Sequence, residues 1–168
     1  MIEPTKLKEI AKRYEDENIK FRMFLKNRAD PDELDAQFAT LHDELFSKYD
    51  CCACNNCCRK YTLCLTGEDT SCIAGFLNLS KETFIKEYLQ GDTIGYEIKP
   101  PCPFLEQDGS CQIQDFKPEE CRGYPYTDQP DRIASLIGVM EFAETCPVVF
   151  EIVQRLKVIY GFRSRVCQ

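Results

Sequence analysis

Apolar residues recur at helical spacing through the first fifty residues. Between Thr5 and Arg28 one stripe is formed by Leu7, Ile10, Tyr14, Phe21, Phe24 and Leu25. A second stripe is formed by Leu34, Phe38, Leu41 and Leu45. The Asp30-Pro31 step separates them, because the residue before proline avoids helical geometry and proline suits a first helical turn. We expect one helix capped by Thr5 and a second capped by Asp30 that ends near Lys48, packed as an antiparallel hairpin.

The middle of the chain has shorter patterns. Residues 59–66 alternate as a strand does, and a turn at Gly67 leads to a short helix over residues 69–78. Ser80 is a good N-cap for a helix from Lys81 to Gln90, which stops at a glycine. Asp108-Gly109 is a hairpin-type turn, and Pro118 can begin a single helical turn. These signals predict a small β-ribbon among short helices.

The C-terminal third contains one ambiguous element and one clear helix. Residues 131–142 fit a strand or a helix almost equally, and we favour a strand. The last helix follows Thr145-Cys146-Pro147 and ends at Gly161. Its predicted core face is formed by Val148, Val149, Ile152, Leu156 and Ile159. The fold class is therefore α+β, mostly helical, with a metal-stapled cysteine-rich core. We expect an N-terminal helical hairpin over 1–49 and a cysteine-cluster domain over 50–168.

Composition narrows the chemistry. The 168 residues include 12 cysteines, one histidine and no tryptophan, so a metal site here must be dominated by thiolates. The net charge of −7 disfavours nucleic acid as a partner. No apolar run reaches about 18 residues, so no membrane span is expected, and no secretory signal is evident. We expect a cytoplasmic protein, in which thiols stay reduced and available to metals.

Five of the cysteines lie within eight residues, in Cys51-Cys52-Ala53-Cys54-Asn55-Asn56-Cys57-Cys58. In a helix, steps of three would place Cys51, Cys54 and Cys57 on roughly one face. In a tight loop, Cys-x-x-Cys lets two thiolates bind one ion. Disulfides and incidental thiols are the alternatives, but the spacing favours a metal ion as the partner. Cys57 and Cys58 would point apart in an extended backbone and serve different ions, or would reach one cluster if the backbone turns.

Further cysteines follow at wider spacing. Cys102 and Cys111 flank the predicted hairpin, and Cys121 ends the helical turn after Pro118. Cys146 precedes the last helix, where the helix dipole favours a thiolate, so it is a candidate eighth ligand. Cys64 and Cys72 have apolar neighbours and are expected to be small buried residues. Near the C-terminus, Cys167 is expected to be free, and His42 is expected to be a partly exposed helix residue without a catalytic role.

Several of these motifs, in this order, resemble the CxxCxxCC or YkgJ-like family of zinc- or iron-chelating domains. The matching segments are Cys51-x-x-Cys54-x-x-Cys57-Cys58, Leu79-Ser80-x-x-x-Phe84-x-x-x-Tyr88-Leu89, Pro101-Cys102-x-Phe104-Leu105, Asp108-Gly109-x-Cys111-x-Ile113 and Lys117-Pro118-x-x-Cys121-Arg122-x-Tyr124-Pro125. Cys52 and Cys64 look additional, and Gln114 and Lys117 stand where such families often carry tyrosine and arginine. The resemblance implies metal chelation and leaves the biochemical activity undefined.

Three functions are compatible with these residues. In the first, zinc or iron is bound mainly to hold the fold, and the eight candidate sulfurs divide into two four-thiolate sites or form one cluster. These ligands are Cys51, Cys54, Cys57, Cys58, Cys102, Cys111, Cys121 and Cys146. The alternative is an iron–sulfur protein with a redox or enzyme-supporting role, although Tyr61 stands where a ferredoxin run has its fourth cysteine. The third is hydrolysis at an open metal site, with Asp115, Glu119 or Glu120 as base. We favour the first, with zinc as first choice.

Overall fold

The computed structural model describes residues 1–92 and 95–163. The helices are α1 (Leu7–Arg13), α2 (Glu15–Arg28), α3 (Pro31–Phe46), α4 (Cys51–Cys54), α5 (Asn56–Lys60), α6 (Gly67–Phe76), α7 (Lys81–Tyr88), α8 (Glu119–Gly123), α9 (Arg132–Phe142) and α10 (Pro147–Ile159). The strands are β1 (Leu63–Leu65), β2 (Gln90–Asp92) and β3 (Gly95–Ile98), and a 3-10 helix covers Gln114–Phe116. The predicted α+β class, mostly helical with a small sheet, is confirmed.

Contacts group the described residues into two compact units. The first unit contains Met1–Asp50 together with the described residues from Pro125 onward, and the second contains Cys51–Tyr124. The predicted organisation, an N-terminal helical hairpin over 1–49 and a cysteine-cluster domain over 50–168, stays a prediction. Along the described ranges no helix combines the length and the apolar character that a membrane crossing needs.

The first unit is a set of packed helices. Helix α2 packs on α9, α3 packs on α9 and α10, and α1 packs on α2. The predicted stripe of α3 is buried through all four of its members, and the Asp30 carboxylate accepts hydrogen bonds from the N–H groups of Asp32 and Glu33. Helices from both ends of the chain therefore bury one another's apolar faces.

Two expectations for the first unit are wrong. The segment from Thr5 to Arg28 is not one helix, because it breaks at Tyr14, whose ring packs edge-on against Phe150 at 5.5 Å between centroids. The segment 131–142 is helix α9, not a strand. Both backbone N–H groups that begin this helix, those of Asp131 and Arg132, donate to the Asp35 carboxylate, at 2.6 and 2.8 Å. A partner 96 residues away thus supplies the helix cap that the local sequence lacks.

A buried cation lies in the same unit. Lys157 is only 5% exposed, and its Nζ lies 2.6 Å from Oε1 of Glu17 and 5.0 Å from the centre of the Tyr14 ring. Burial lowers the pKa of Lys157, and the Glu17 carboxylate opposes that shift. The ammonium is therefore held by a carboxylate and a ring face together.

The second unit is built on an antiparallel sheet in the order β1-β3-β2. Leu63 pairs with Ile98 and Leu65 with Tyr96. The buried core beside the sheet is formed by Leu63, Leu65, Ile73, Ala74, Phe84, Ile98, Phe104 and Ile113. Cys102, Cys111 and Cys121 pack against this core. The hydrophobic cluster thus forms a wall beside three of the predicted ligands.

Side-chain caps begin two helices of the second unit, α6 and α7. Thr66 and Asp69 form a reciprocal capping box at the start of α6. The Ser80 side chain accepts a hydrogen bond from the Thr83 N–H at the start of α7, which confirms the predicted cap. Helix α7 contributes the fully buried Phe84, whose ring stacks with Tyr88 at 5.3 Å between centroids.

Candidate metal centre

The cysteine run folds as two short helices instead of one. Helix α4 carries Cys51, Cys52 and Cys54, and helix α5 carries Cys57 and Cys58. Between them, Asn55 has a left-handed backbone with φ of 51°, so of the two arrangements considered for the run, one continuous helical face does not form. Within α5 the Cys57 side chain hydrogen-bonds the Cys58 side chain. The backbone therefore turns at this pair, and the extended alternative does not apply.

A backbone hydrogen bond ties the run to the second cysteine segment. The Cys102 N–H donates to the Cys58 carbonyl at 2.7 Å, although 44 residues separate them in the sequence. Cys111 then returns by a β-bridge to Leu105, and the Gly109 N–H donates to the Glu106 carbonyl at 3.1 Å. The chain order therefore brings Cys58, Cys102 and Cys111 to one region through main-chain contacts.

Gly109 fits closely against the first cysteine motif. Its φ is +90°, and a Cβ on it would lie 2.7 Å from Nδ2 of Asn55 and 2.9 Å from the carbonyl oxygen of Cys52. The same Asn55 Nδ2 donates to that Cys52 carbonyl. Only glycine allows the turn before Cys111 to approach the Cys52–Asn55 turn this closely.

Helix α8 places the fourth thiol, that of Cys121. Beside it, the Glu120 carboxylate accepts the Tyr61 hydroxyl hydrogen at 2.8 Å and the backbone N–H of Cys64 on β1. The ring of Tyr61 also packs at 4.9 Å from that of Tyr124, which follows α8. Glu120 thus connects α8 to β1. Because its carboxylate already accepts two hydrogen bonds within the fold, it is a weaker candidate for the general base of the hydrolysis hypothesis.

The electrostatics of Cys58 differ from those of its neighbours. The hydrogen bond from Cys57 lowers the pKa of the Cys58 thiol to about 6, against the effect of burial, and the positive charge of Lys117 lowers it further. At neutral pH this sulfur therefore carries negative charge. The centre already contains one thiolate, the form in which cysteine binds metals.

The other three thiols respond to burial and to one another. Burial raises the pKa values of Cys102 and Cys111, and raises that of Cys121 to about 11. The negative charge of Cys58 raises all three further, and Lys117 opposes this at Cys111 and Cys121. Because such effects weaken with distance, these four sulfurs share one neighbourhood. All four are free thiols.

The donor chemistry of this group fits a soft metal ion. Four half-buried sulfurs repel one another as thiolates, and a divalent cation would offset both the repulsion and the cost of burial. Among residues 1–92 and 95–163, however, no three Cys, His, Asp or Glu side chains already stand in ligand positions around one point. Binding would therefore draw the sulfurs together by side-chain movement.

The remaining predicted ligands have different surroundings. Cys51 is exposed, and Cys54 and Cys57 are half-buried in the second unit. Cys146 is 8% exposed and is the N-cap residue of α10 in the first unit, with its N–H donating to the Phe142 carbonyl at 2.7 Å. The assignment of these four cysteines as ligands stays a prediction.

Two expectations about the other cysteines are wrong. Cys64 and Cys72 are exposed, not buried. Cys64 is the middle residue of β1, and alternation along a strand turns it away from the core that receives Leu63 and Leu65. Cys72 lies on the solvent side of α6, next to the buried Ile73. Cys167 lies outside the described residues.

Sequence patterns missed two contributors to this centre. Cys52 is close enough that a negative charge on it would raise the pKa of Cys111, although the comparison with the family pattern made Cys52 look additional. The positive charge of Lys117 lowers the pKa values of Cys58, Cys111 and Cys121, whereas the sequence marked Lys117 only as a position where the resembled family often carries arginine. His42 is a half-buried residue of α3 in the first unit, as predicted, and its Nδ1 lies 2.8 Å from Thr127 Oγ1.

A protein-family model matches residues 50–148, which is more than half of the chain. Its description is "CxxCxxCC: Putative zinc- or iron-chelating domain". The chain belongs to this family. The membership supports metal binding and leaves the specific role undefined. No curated protein and no solved structure gives a significant match to the chain.

Proposed function

We propose that this CxxCxxCC-family chain is a zinc-binding protein whose ion is held by the thiolates of Cys58, Cys102, Cys111 and Cys121. The observation that carries the proposal is that the half-buried Cys102, Cys111 and Cys121 pack against one hydrophobic core, while the Cys102 N–H donates to the Cys58 carbonyl at 2.7 Å. The negative charge of Cys58 raises the pKa values of the other three thiols, as expected for sulfurs in one neighbourhood. Four thiolates without a water ligand are typical of closed, structural zinc sites. The ion would join parts of the chain that are more than sixty residues apart in sequence.

The protein residues would prepare this site in two ways. The Cys57 hydrogen bond keeps Cys58 ionised, so that one ligand is ready before the metal arrives. Lys117 brings positive charge beside three sulfurs and would offset part of the −2 charge that a zinc ion with four thiolates retains. The ion would supply folding free energy to the second unit because its ligands are separated in the unfolded chain.

Metal analysis of anaerobically purified protein tests the proposal. We expect zinc without visible absorbance, and we expect Cys121→Ser to lose zinc and unfold at lower urea concentration. Cys72→Ser is the matched control, because Cys72 is an exposed thiol on α6 with ordinary solvent contact. Equal zinc content in the two variants would exclude Cys121 as a ligand.

The same measurement distinguishes the iron–sulfur alternative. That alternative is favoured by the run Cys51-x-x-Cys54-x-x-Cys57, which matches three ligands of a ferredoxin motif. If the analysis finds iron with acid-labile sulfide and a broad visible absorption band, the cofactor is an iron–sulfur cluster and not zinc. In that case Cys51→Ser and Cys54→Ser should lose iron, whereas the zinc proposal expects both variants to keep their ion at the four-thiol centre.

A further inference from the structure

A groove of about 450 Å³ runs along helix α9 in the first unit. Its wall includes one face of that helix, formed by Arg132, Ser135, Val139 and Phe142, with Gly138 beside them and Tyr126 from the preceding loop. Arg132 and Phe142 are ten positions apart on the helix, which corresponds to about 15 Å at 1.5 Å per residue. The groove is elongated, with a charged end and an end lined by apolar groups.

The charged end contains a buried guanidinium with unused donors. Arg132 is 7% exposed, and it donates to the carbonyls of Tyr126 and Pro130. These bonds use two of its five N–H groups, and its Nε is buried without a partner in the described part of the chain. No ion pair between described residues includes Arg132. The hydrogen bonds to the loop after Tyr126 therefore occupy only some of the donors of Arg132.

The nearby acids do not neutralise Arg132 by contact. Burial lowers the pKa of Arg132, and the negative charges of Asp35, Asp128 and Asp131 oppose the shift. The Asp35 carboxylate is occupied by the two backbone N–H groups at the start of α9, and Asp128 and Asp131 are exposed to solvent. A buried cation with open donors in a mainly apolar groove calls for an acceptor with negative charge.

The geometry points to a binding site for a medium-chain acyl carboxylate, with its head group against Arg132 and its chain along Gly138, Val139 and Phe142. The guanidinium is complementary to a carboxylate in charge and shape, and the helical face is long enough for an extended chain. The site is independent of the four-thiol centre, because every residue in it belongs to the first unit.

Gly138 offers a way to block the groove without harming the helix. A Cβ at this position would meet only the Phe142 ring, at 3.9 Å, which is an ordinary contact. The rest of a leucine side chain at Gly138 would project into the groove, and leucine is a better helix former than glycine. Ile137 is the matched control, since it lies next to Gly138 on α9 but is 54% exposed and does not line the groove.

The test uses decanoate below its micelle concentration, with the zinc-loaded full chain followed by NMR and calorimetry. We expect saturable binding with shifts confined to α9 and the Tyr126 loop, at least a tenfold loss of affinity in Gly138→Leu, and unchanged affinity in Ile137→Ala. Arg132→Gln should remove the preference for decanoate over its methyl ester. Zinc content should stay the same in the Gly138 and Ile137 variants.

Each contrary outcome overturns the inference. Absence of saturable binding, or equal affinity of wild type and Gly138→Leu, would exclude the groove as the site. Equal affinity of wild type for decanoate and its methyl ester would exclude recognition of the carboxylate and leave an apolar ligand or a partner peptide as the occupant. Because the readout is ligand affinity in metal-loaded protein, failure here is distinguishable from failure of the zinc proposal.

Discussion

Replacing Gly109 by alanine should weaken both the second unit and its metal centre. The residue has φ of +90°, and an added Cβ would lie 2.7 Å from Nδ2 of Asn55 and 2.9 Å from the Cys52 carbonyl oxygen. Contacts below 3.0 Å force a shift, and one of the two atoms belongs to the backbone. The hairpin that carries Cys111 would therefore move away from the turn that carries Cys52.

The expected loss of unfolding free energy in Gly109→Ala is the sum of two separate costs. A left-handed backbone costs a residue with a Cβ about 1–2 kcal/mol. Displacing Asn55 from its hydrogen bond to the Cys52 carbonyl adds about 0.5–1.5 kcal/mol. We expect the free energy of unfolding to fall by about 2–3 kcal/mol. Metal affinity should fall about tenfold or more, as for other changes just outside a ligand set.

Urea denaturation at a fixed free zinc concentration measures the first effect, and competition with a coloured chelator measures the second. Gly75→Ala is the matched control, because a Cβ at this exposed position of α6 would meet nothing within 4 Å. It should stabilise the protein by about 0.5–1 kcal/mol. If Gly109→Ala unfolds at the same urea concentration and binds zinc as tightly as wild type, the close approach of the two turns does not support the centre.

Three further predictions concern single side chains. Glu120→Ala should lower the free energy of unfolding by about 1–3 kcal/mol, because it removes the acceptor of the hydrogen bonds from the Tyr61 hydroxyl and the Cys64 N–H. Glu119→Ala next to it should change the free energy of unfolding by less than about 0.5 kcal/mol, and equal urea midpoints of the two variants would contradict this. Glu17→Gln should cost about 1–3 kcal/mol by leaving the Lys157 ammonium buried without a charge partner, and adding Lys157→Met should recover most of the loss; an additive double variant would refute the pairing. Although burial raises the pKa of Asp69, hydrogen bonds within its capping box hold it below the ordinary value, so its contribution is present above about pH 4 and is lost as pH falls through the lowered pKa. The stability difference between wild type and Asp69→Asn should therefore shrink below about pH 4, measured by thermal unfolding across pH.

Local signals in the sequence were sufficient for elements whose caps lie within a few residues. Asp30 and Ser80 cap the helices that begin just after them, and the stripe from Leu34 to Leu45 is buried as its spacing predicts. In such elements the hydrogen-bond partner of each helix end is a neighbour in the chain, so periodicity and capping residues together identify the structure.

Long-range contacts decided the elements that the sequence left ambiguous. The segment 131–142 is helical because the Asp35 carboxylate, on another helix, caps its N-terminus. The sequence around residue 131 gives no sign of this partner. The break at Tyr14 accompanies ring contacts with residues of α10. Tertiary contacts outweigh propensity in both cases, since propensity differences are below about 1 kcal/mol per residue.

The sequence predicted that the candidate centre consists of cysteine thiols, but it did not predict which cysteines lie together. Spacing drew attention to the whole run from Cys51 to Cys58. Within that run, Cys58 is the residue whose charge raises the pKa values of all three later cysteines, Cys102, Cys111 and Cys121. The decisive contact is the backbone hydrogen bond between Cys102 and Cys58, which a spacing of 44 residues does not encode.

The charges of the four sulfurs explain why a cation belongs among them. Burial and mutual repulsion keep Cys102, Cys111 and Cys121 protonated at neutral pH, while Cys58 is ionised and Lys117 supplies only one compensating charge. A divalent ion would let the three remaining thiols ionise, so binding should release about three protons at neutral pH. Calorimetric zinc titrations in buffers of different ionisation enthalpy would measure that number. Release of no proton would mean that these thiols are not the ligands, because a neutral thiol does not bind zinc.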